Sequence, residues 1–342
     1  MKVTAYANST VFEQLKPVWN DLLQRSISNL IFLSWEWQSI WWNAYQAGDL
    51  WVLTVTDEQD KIIAIAPWFV QNRSDGRVVR TIGCVDVTDY VDIIVEADKA
   101  SQVYAVLAAY IRDHNTHFDW MNLCNIPESS PTYSQFPDAL RKVGLDADLI
   151  LQEVCPVIHL PNDWEAYLGM LDKKNRHELR RKVRRAESES NLEYYILGAE
   201  HNFESEVDVF LNLMRASQPA KAEFLAVPEN EAFFRSILHA TFEKRWLRLS
   251  FLKVDGVPAA AYCDFDYNGE ILVYNSGLDP DVKSHLSTGI VLLVYNIQAA
   301  IKTGHRLYDF LRGDETYKYR MGAQDTCVYK MVTRKREAVT VA

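Results

Sequence analysis

Tyr274-Asn-Ser-Gly-Leu-Asp-Pro280, then Ser284-His-Leu-Ser-Thr-Gly-Ile290, then an apolar run, then Tyr308-Asp-Phe-Leu-Arg-Gly-Asp-Glu-Thr-Tyr-Lys-Tyr-Arg320 is the stretch that decides the fold. An extended segment feeds a short Ser/Thr/Gly loop, Thr288 to Lys302 follows with helical apolar spacing, and Gly304 suits the helix end. Leu307 to Leu311 then returns as a strand. Unbonded N–H groups and the helix dipole at such a loop suit a pyrophosphate. Upstream, Leu247 to Leu278 reads as a strand meander with turns at Asp255-Gly256 and Asn268-Gly269.

Working outward, Trp164 to about Ser188 reads as one helix, Leu192 to Leu197 as a strand, and Glu204 to Ser217 and Glu229 to Arg245 as two helices. The first half has a similar order. An amphipathic stretch (Thr10 to Ser26) precedes a Trp-rich helix with Ser34 as N-cap. A hairpin turns at Asp57 to Asp60, and strand-like runs between Val78 and Val95 surround Asp86-Val-Thr-Asp-Tyr-Val-Asp92. Next come a helix (Ser101 to Asp113), a strand from Phe118, a helix (Tyr133 to Val143) and a strand (Ile150 to Leu160). Phe118-Asp119-Trp120 occupies the place of Tyr308-Asp309-Phe310, so the halves read as a distant duplication, with domains 1–160 and 161–342.

Composition is that of an ordinary globular chain: 342 residues, 48% hydrophobic, 24% charged. Eight of the ten Trp fall in the first 120 residues, which must bury or display much aromatic surface. Residues 173–185, KKNRHELRRKVRR, carry +7, so the remainder sums to −17 within a total of −10. That run is a solvated helix face, a phosphate site or a contact for an anionic membrane surface; the acidic remainder disfavours nucleic acid. The five Cys lack a C-x-x-C pair and are expected as reduced thiols, with no zinc site. No apolar run is long enough for a membrane span, and the start has no signal-peptide core, so a cytoplasmic protein is expected. G-x-G-x-x-G, the P-loop and G-x-S-x-G are all missing, which disfavours dinucleotide, NTPase and α/β-hydrolase chemistry. Asp264 and Asp266 alternate and are expected on a solvated strand face. His114 with Asp119 and His305 with Asp309 are weak candidates for catalytic dyads, since their spacings differ.

The combination Trp35-x-Trp37 with Trp41-Trp42, Asp89-Tyr90-x-Asp92, Trp164-x-x-Tyr167-Leu168, Leu179-Arg-Arg-Lys182, Ser287-Thr-Gly289 and Asp309-Phe-Leu-Arg-Gly-Asp-Glu-x-Tyr-Lys318 resembles the GNAT N-acyltransferases, in the duplicated branch that includes CelD-type and FemAB/FemX-like proteins. The resemblance implies an α/β fold (mixed α+β) of two tandem GNAT-like domains, each with a mostly antiparallel central sheet flanked by helices. The family's loop pattern Q/R-x-x-G-x-G/A is partly kept, with His285 near its first position, Gly289 near its middle one and Val291 where a small residue is usual. Lys318 with Gly322 fits the Lys-to-Gly spacing of FemAB-like transferases, and no charged coiled-coil arm like theirs is present.

By that resemblance the second half binds an acyl-CoA such as acetyl-CoA, without a metal, at Tyr274, Asn275, Ser276, His285, Ser287, Thr288 and Gly289. The pantetheine would lie between Ile271–Ser276 and Leu307–Leu311, and a backbone N–H near Asn275 would polarise the thioester carbonyl. The acceptor amine, on a sugar nucleotide or a cell-envelope or polysaccharide precursor, attacks directly, with no covalent enzyme intermediate. Asp309 or Asp314 would accept its proton, Tyr317 would protonate the thiolate, and Lys318 and Arg312 would hold an acceptor phosphate or carboxylate. In the degenerate first domain Asp89, Tyr90 and Asp92 are the acceptor-binding candidates, against an ordinary Asx turn. Two alternatives stand beside this reading: a non-catalytic GNAT pair in polysaccharide or envelope assembly, and FemAB-like aminoacyl transfer.

Overall fold

The computed structural model describes residues 1–84 and 87–335. They divide into two units, Met1–Val154 with the residues from Thr326 onward, and Cys155–Asp325. The cut thus falls before 160, and the end of the chain joins the first unit.

Unit 1 opens with β1 (Lys2–Tyr6), α1 (Thr10–Gln24) and α2 (Trp35–Tyr45). Ser34 caps α2 by accepting the Trp37 N–H at 3.2 Å. Strands β2 (Asp49–Leu50), β3 (Val52–Thr56), β4 (Ile62–Ala66), β5 (Trp68–Arg73), β6 (Gly76–Thr81) and β7 (Ile94–Val95) follow. Helix α3 (Ala100–Asp113), β8 (Trp120–Pro127), α4 (Pro131–Lys142) and β9 (Leu145–His159) come next, the last running across the cut. A small antiparallel sheet is ordered β1-β3-β4-β7, while β8, β6, β5 and β2 lie side by side in a second one. The aromatic excess is core: Trp19, Trp37, Trp41 and Trp68 are 0% exposed. Asp86 lies outside the described residues.

Unit 2 contains α5 (Trp164–Met170), α6 (Lys173–Glu189), β10 (Leu192–Ile196), α7 (Phe203–Ser217), α8 (Pro219–Ala226) and α9 (Pro228–Glu243). Then come β11 (Leu247–Val254), β12 (Val257–Tyr267), β13 (Glu270–Leu278), α10 (Thr288–Lys302), β14 (Leu307–Asp309) and α11 (Thr316–Arg320). The expected single helix from Trp164 is two. Leu171 is extended, and Asp172 starts α6 by accepting the Asn175 N–H at 2.8 Å. Between the two expected helices after β10 stands a third, α8; Pro219 and Pro228 each open a new helix where their missing N–H costs nothing. The final strand, β15 (Gln324–Lys335), pairs antiparallel with β8 from Val328↔Pro127 to Arg334↔Trp120, which is why the chain's end belongs to unit 1.

The sheets are mixed, not mostly antiparallel. In unit 1, β6 and β8 are parallel (Val78↔Trp120); in unit 2, β13 and β14 are parallel (Ile271↔Tyr308). A helix crossover joins each pair and returns the chain in the same direction, as parallel pairing requires. The α/β class follows from this topology. Neighbouring strands also correct the cysteine expectation: Cys84, just after β6, and Cys124 in β8 form a disulfide, while Cys155, Cys263 and Cys327 stay thiols. Among the described residues, no helix is long and apolar enough to cross a membrane, and no His/Cys/Asp/Glu group suits a metal.

Candidate functional site

Strand β13 is where the local fold makes room. It pairs with β14 only through Glu270↔Leu307, Ile271↔Tyr308 and Leu272↔Asp309. Its remaining residues, Val273 to Leu278, keep β12 on one side and have no β14 partner. The register against β12 also slips, with Asp264 opposite Val273 and Cys263 opposite Asn275, so Tyr274 is the extra residue of a β-bulge. Bulge and parting together leave backbone groups of Tyr274–Ser276 off the regular ladder. Asn275 caps the next residue, its Oδ1 accepting the Ser276 N–H at 2.9 Å, while the Tyr274 ring stacks on Phe234 and leans on Phe265.

The loop before α10 is tied down by the basic helix. Ser287 adopts a left-handed conformation (φ 55°), and its carbonyl accepts from the N–H groups of Ile290 and Val291. Lys182 of α6 donates to Ser287 Oγ at 3.2 Å, Lys283 to Ser190 Oγ at 2.9 Å, and His285 Nε2 lies 3.2 Å from a Glu189 carboxylate oxygen. Thr288 is buried, and a Cβ on Gly289 would lie 3.6 Å from a Leu278 methyl. Several α6 cations are neutralised, Arg180 by Glu165, Arg181 by Glu178 and Arg185 by Glu189. Lys182 and Arg320 line a cleft together with Glu178, Leu179, Ile290, Tyr317 and Met321. Burial, with Glu315 and Asp264 nearby, pushes the Tyr317 hydroxyl up, so it stays protonated at neutral pH.

The segment after β14 is organised by Lys318. This side chain is 2% exposed and donates to the carbonyls of Arg312 and Gly313, both at 2.9 Å, and of Leu311 at 3.4 Å; Glu315 lies 2.9 Å away. Asp309 is 4% exposed and accepts the Leu311 N–H at 2.7 Å, while Asp314 is exposed and Arg312 half-buried. Tyr167 anchors the same region, donating to the Met321 carbonyl at 2.9 Å.

Asp264 departs from expectation. It is 0% exposed and paired in register with the buried Arg248. Asn296 of α10 donates to Ser250 Oγ at 2.8 Å, and Asn296 and Tyr308 each reach Asp264 Oδ2 at 3.5 Å. Only Asp266 is on the wet side, 2.9 Å from His305. Burial outweighs Arg248 and raises the Asp264 carboxyl to about 8. His305 is therefore engaged away from Asp309. In unit 1, His114 stacks on Tyr110, and Asp119 accepts the Arg77 N–H at 2.8 Å.

Asp92, also in unit 1, is 3% exposed; it accepts the hydroxyls of Ser28 and Ser130 and the Ile93 N–H, and burial raises its carboxyl. Tyr90 is buried against Phe32, and Asp89 is half-buried. Asp92 thus ties two loops together inside its own unit. Lys221 of α8 was not legible as a site residue. Its Nζ donates to the Ser276 carbonyl, on the unpartnered part of β13, and burial lowers its pKa to about 8.

Residues 173–319 match the family described as acetyltransferase (GNAT) domain. No curated protein matches the chain. Among solved structures, FemX superposes with a TM-score of 0.64 at 10% identity, over 96% of this chain and 97% of FemX. A conserved protein of unknown function from Bacteroides thetaiotaomicron gives 0.60 at 13% identity, over 97% of this chain and 100% of that one. A C-terminal domain of a lysylphosphatidylglycerol synthetase from Agrobacterium fabrum gives 0.51 at 12% identity, over 91% of each chain. At such identities the likeness is one of fold. Residues 173–319 thus match the GNAT acetyltransferase domain family, within a chain that shares the fold of FemX.

Proposed function

We propose that this protein transfers an acyl group from a CoA thioester to a primary amine of a sugar nucleotide or envelope precursor. The observation that carries this reading is the parting of β13 from β14 at a bulge, directly before the loop and first turn of α10. In this reading the donor's anionic end meets Lys182, Arg320 and the N–H groups of α10, and its acyl end lies at Tyr274–Ser276. A backbone N–H at the bulge receives the developing oxyanion, an interaction that strengthens as charge builds. Tyr317, held protonated, gives its proton to the departing thiolate. Asp309 and Lys318 shape the turn after β14. Isothermal titration with acetyl-CoA and longer acyl-CoAs tests the reading: micromolar binding is expected, and failure of every one to bind removes the CoA donor.

A second reading, aminoacyl transfer, is favoured by one observation: Val291 stands where the CoA loop pattern has a small residue, in a fold shared with FemX and a lysylphosphatidylglycerol synthetase domain. Binding of charged tRNA with no acyl-CoA binding would select it.

A further inference from the structure

We propose that Lys221 is the base that takes the proton from the acceptor amine. This inference rests on the acyl-transfer reading above and names a group that reading lacked. The carboxylates near β14 are poorly placed for the task. Asp309 is buried with an oxygen on the Leu311 N–H, Glu315 is held by Lys318, and Asp314 stands in solvent. Lys221 differs in three respects. It projects from α8, the short helix between two prolines, to the Ser276 carbonyl, two residues past the bulge. That carbonyl fixes the nitrogen by accepting one N–H, which leaves the lone pair of a neutral amine available. And the amine is partly buried, so its charged form is disfavoured; Glu315 is the charged group that acts on it in the opposite sense.

The step balances as follows. The acceptor nitrogen bonds to the thioester carbonyl carbon, and one of its protons passes to the neutral Lys221 amine. Collapse breaks the C–S bond, the thiolate takes a proton from Tyr317, and the products are an amide and a free thiol. The Lys221 ammonium, briefly steadied by the Ser276 carbonyl and Glu315, then gives its proton to solvent, and the Tyr317 phenolate takes one back from solvent, which restores both groups. A base with a pKa near 8 matches this work, because about a tenth of it is neutral at pH 7 and it still takes a proton readily.

The test measures thiol release from acetyl-CoA with glucosamine as the acceptor, for the full chain and for Lys221→Met and Lys221→Arg, from pH 6 to 10. In the wild type kcat/KM should rise with pH to a plateau above about 8. Lys221→Met should lower kcat about 100-fold or more, flatten that rise, and leave the acetyl-CoA Kd and the melting temperature near wild type. Lys221→Arg, permanently charged, should not rescue. Wild-type turnover and an unchanged pH profile in Lys221→Met would overturn the assignment. Wild-type protein that neither binds nor consumes acetyl-CoA would overturn the acyl-CoA reading itself, and the base with it.

Discussion

Lys182 donates to Ser287 Oγ across 3.2 Å, joining the middle of a strongly basic helix to the left-handed residue that opens α10. The +7 run is therefore more than a solvated face: Arg180, Arg181 and Arg185 are paired with glutamates, and Lys182 among them is directed at the loop. If that loop receives the donor's phosphates, Lys182→Ala should weaken acetyl-CoA binding about tenfold, roughly 1.4 kcal/mol. Arg181→Ala, which removes a partner of Glu178, should leave Kd within a factor of two. Calorimetry on both variants checks this, and equal affinities would take Lys182 out of the site.

Lys318 is expected to matter first for stability. Its ammonium organises three carbonyls and a carboxylate. Lys318→Met should cost about 3 kcal/mol, because it strands buried acceptors. Urea unfolding measures that cost. A variant with full stability and no acyl transfer would instead give Lys318 a direct role in the reaction.

Asp264 predicts a pH dependence. Burial raises its folded-state pKa from the ordinary carboxylate range to about 8. Between roughly pH 4 and 8 the folded protein therefore holds a proton that the unfolded chain has released, so stability falls as pH rises through that window. Asp92 acts in the same direction and is unchanged in the variant. In Asp264→Asn the decline should be shallower than in the wild type. Parallel stability curves for the two proteins between pH 5 and 8 would contradict this.

Gly277 is a packing constraint. A Cβ there would lie 2.4 Å from the Met214 nitrogen and 2.5 Å from the Leu213 carbonyl carbon, both in the backbone of α7. Gly277→Ala should cost about 3 kcal/mol and displace α7. Because α8 follows α7 directly, Lys221 should move with it, and transfer should fall together with melting temperature.

The disulfide yields a count. Denatured, unreduced protein should titrate three thiols, and reduced protein five. Closing a loop of 40 residues contributes about 4 kcal/mol in the chain-entropy estimate. Reduction should therefore lower the melting temperature clearly, and five thiols before reduction would show that the bond had not formed.

What could be read in the sequence was whatever depends on local period and turn chemistry. The Ser284–Ile290 loop, α10 with its Gly304 end, and the return strand at Leu307 all follow from spacing and from residues that accept unusual φ. What could not be read depends on partners distant along the chain. Asp264 looks like a surface residue until Arg248 is brought opposite it on β11. Cys84 and Cys124 look unrelated until β6 and β8 become neighbours. The break at Leu171-Asp172 is announced only by Gly169 and the N-cap aspartate, weak signals inside a continuous helical period. Lys221 gave no signal at all, since its distinction comes from the Ser276 carbonyl and from burial.

The pairing of β15 with β8 has a consequence for how this chain is made. The strand that completes unit 1 leaves the ribosome only after all of Cys155–Asp325 has been synthesised. At about 5 to 20 residues per second, β8 waits roughly ten to forty seconds with that edge uncovered. Throughout that interval an open strand edge is exposed to other nascent chains, whereas unit 2 already has its whole sequence in hand. The second unit is therefore free to finish folding before the first.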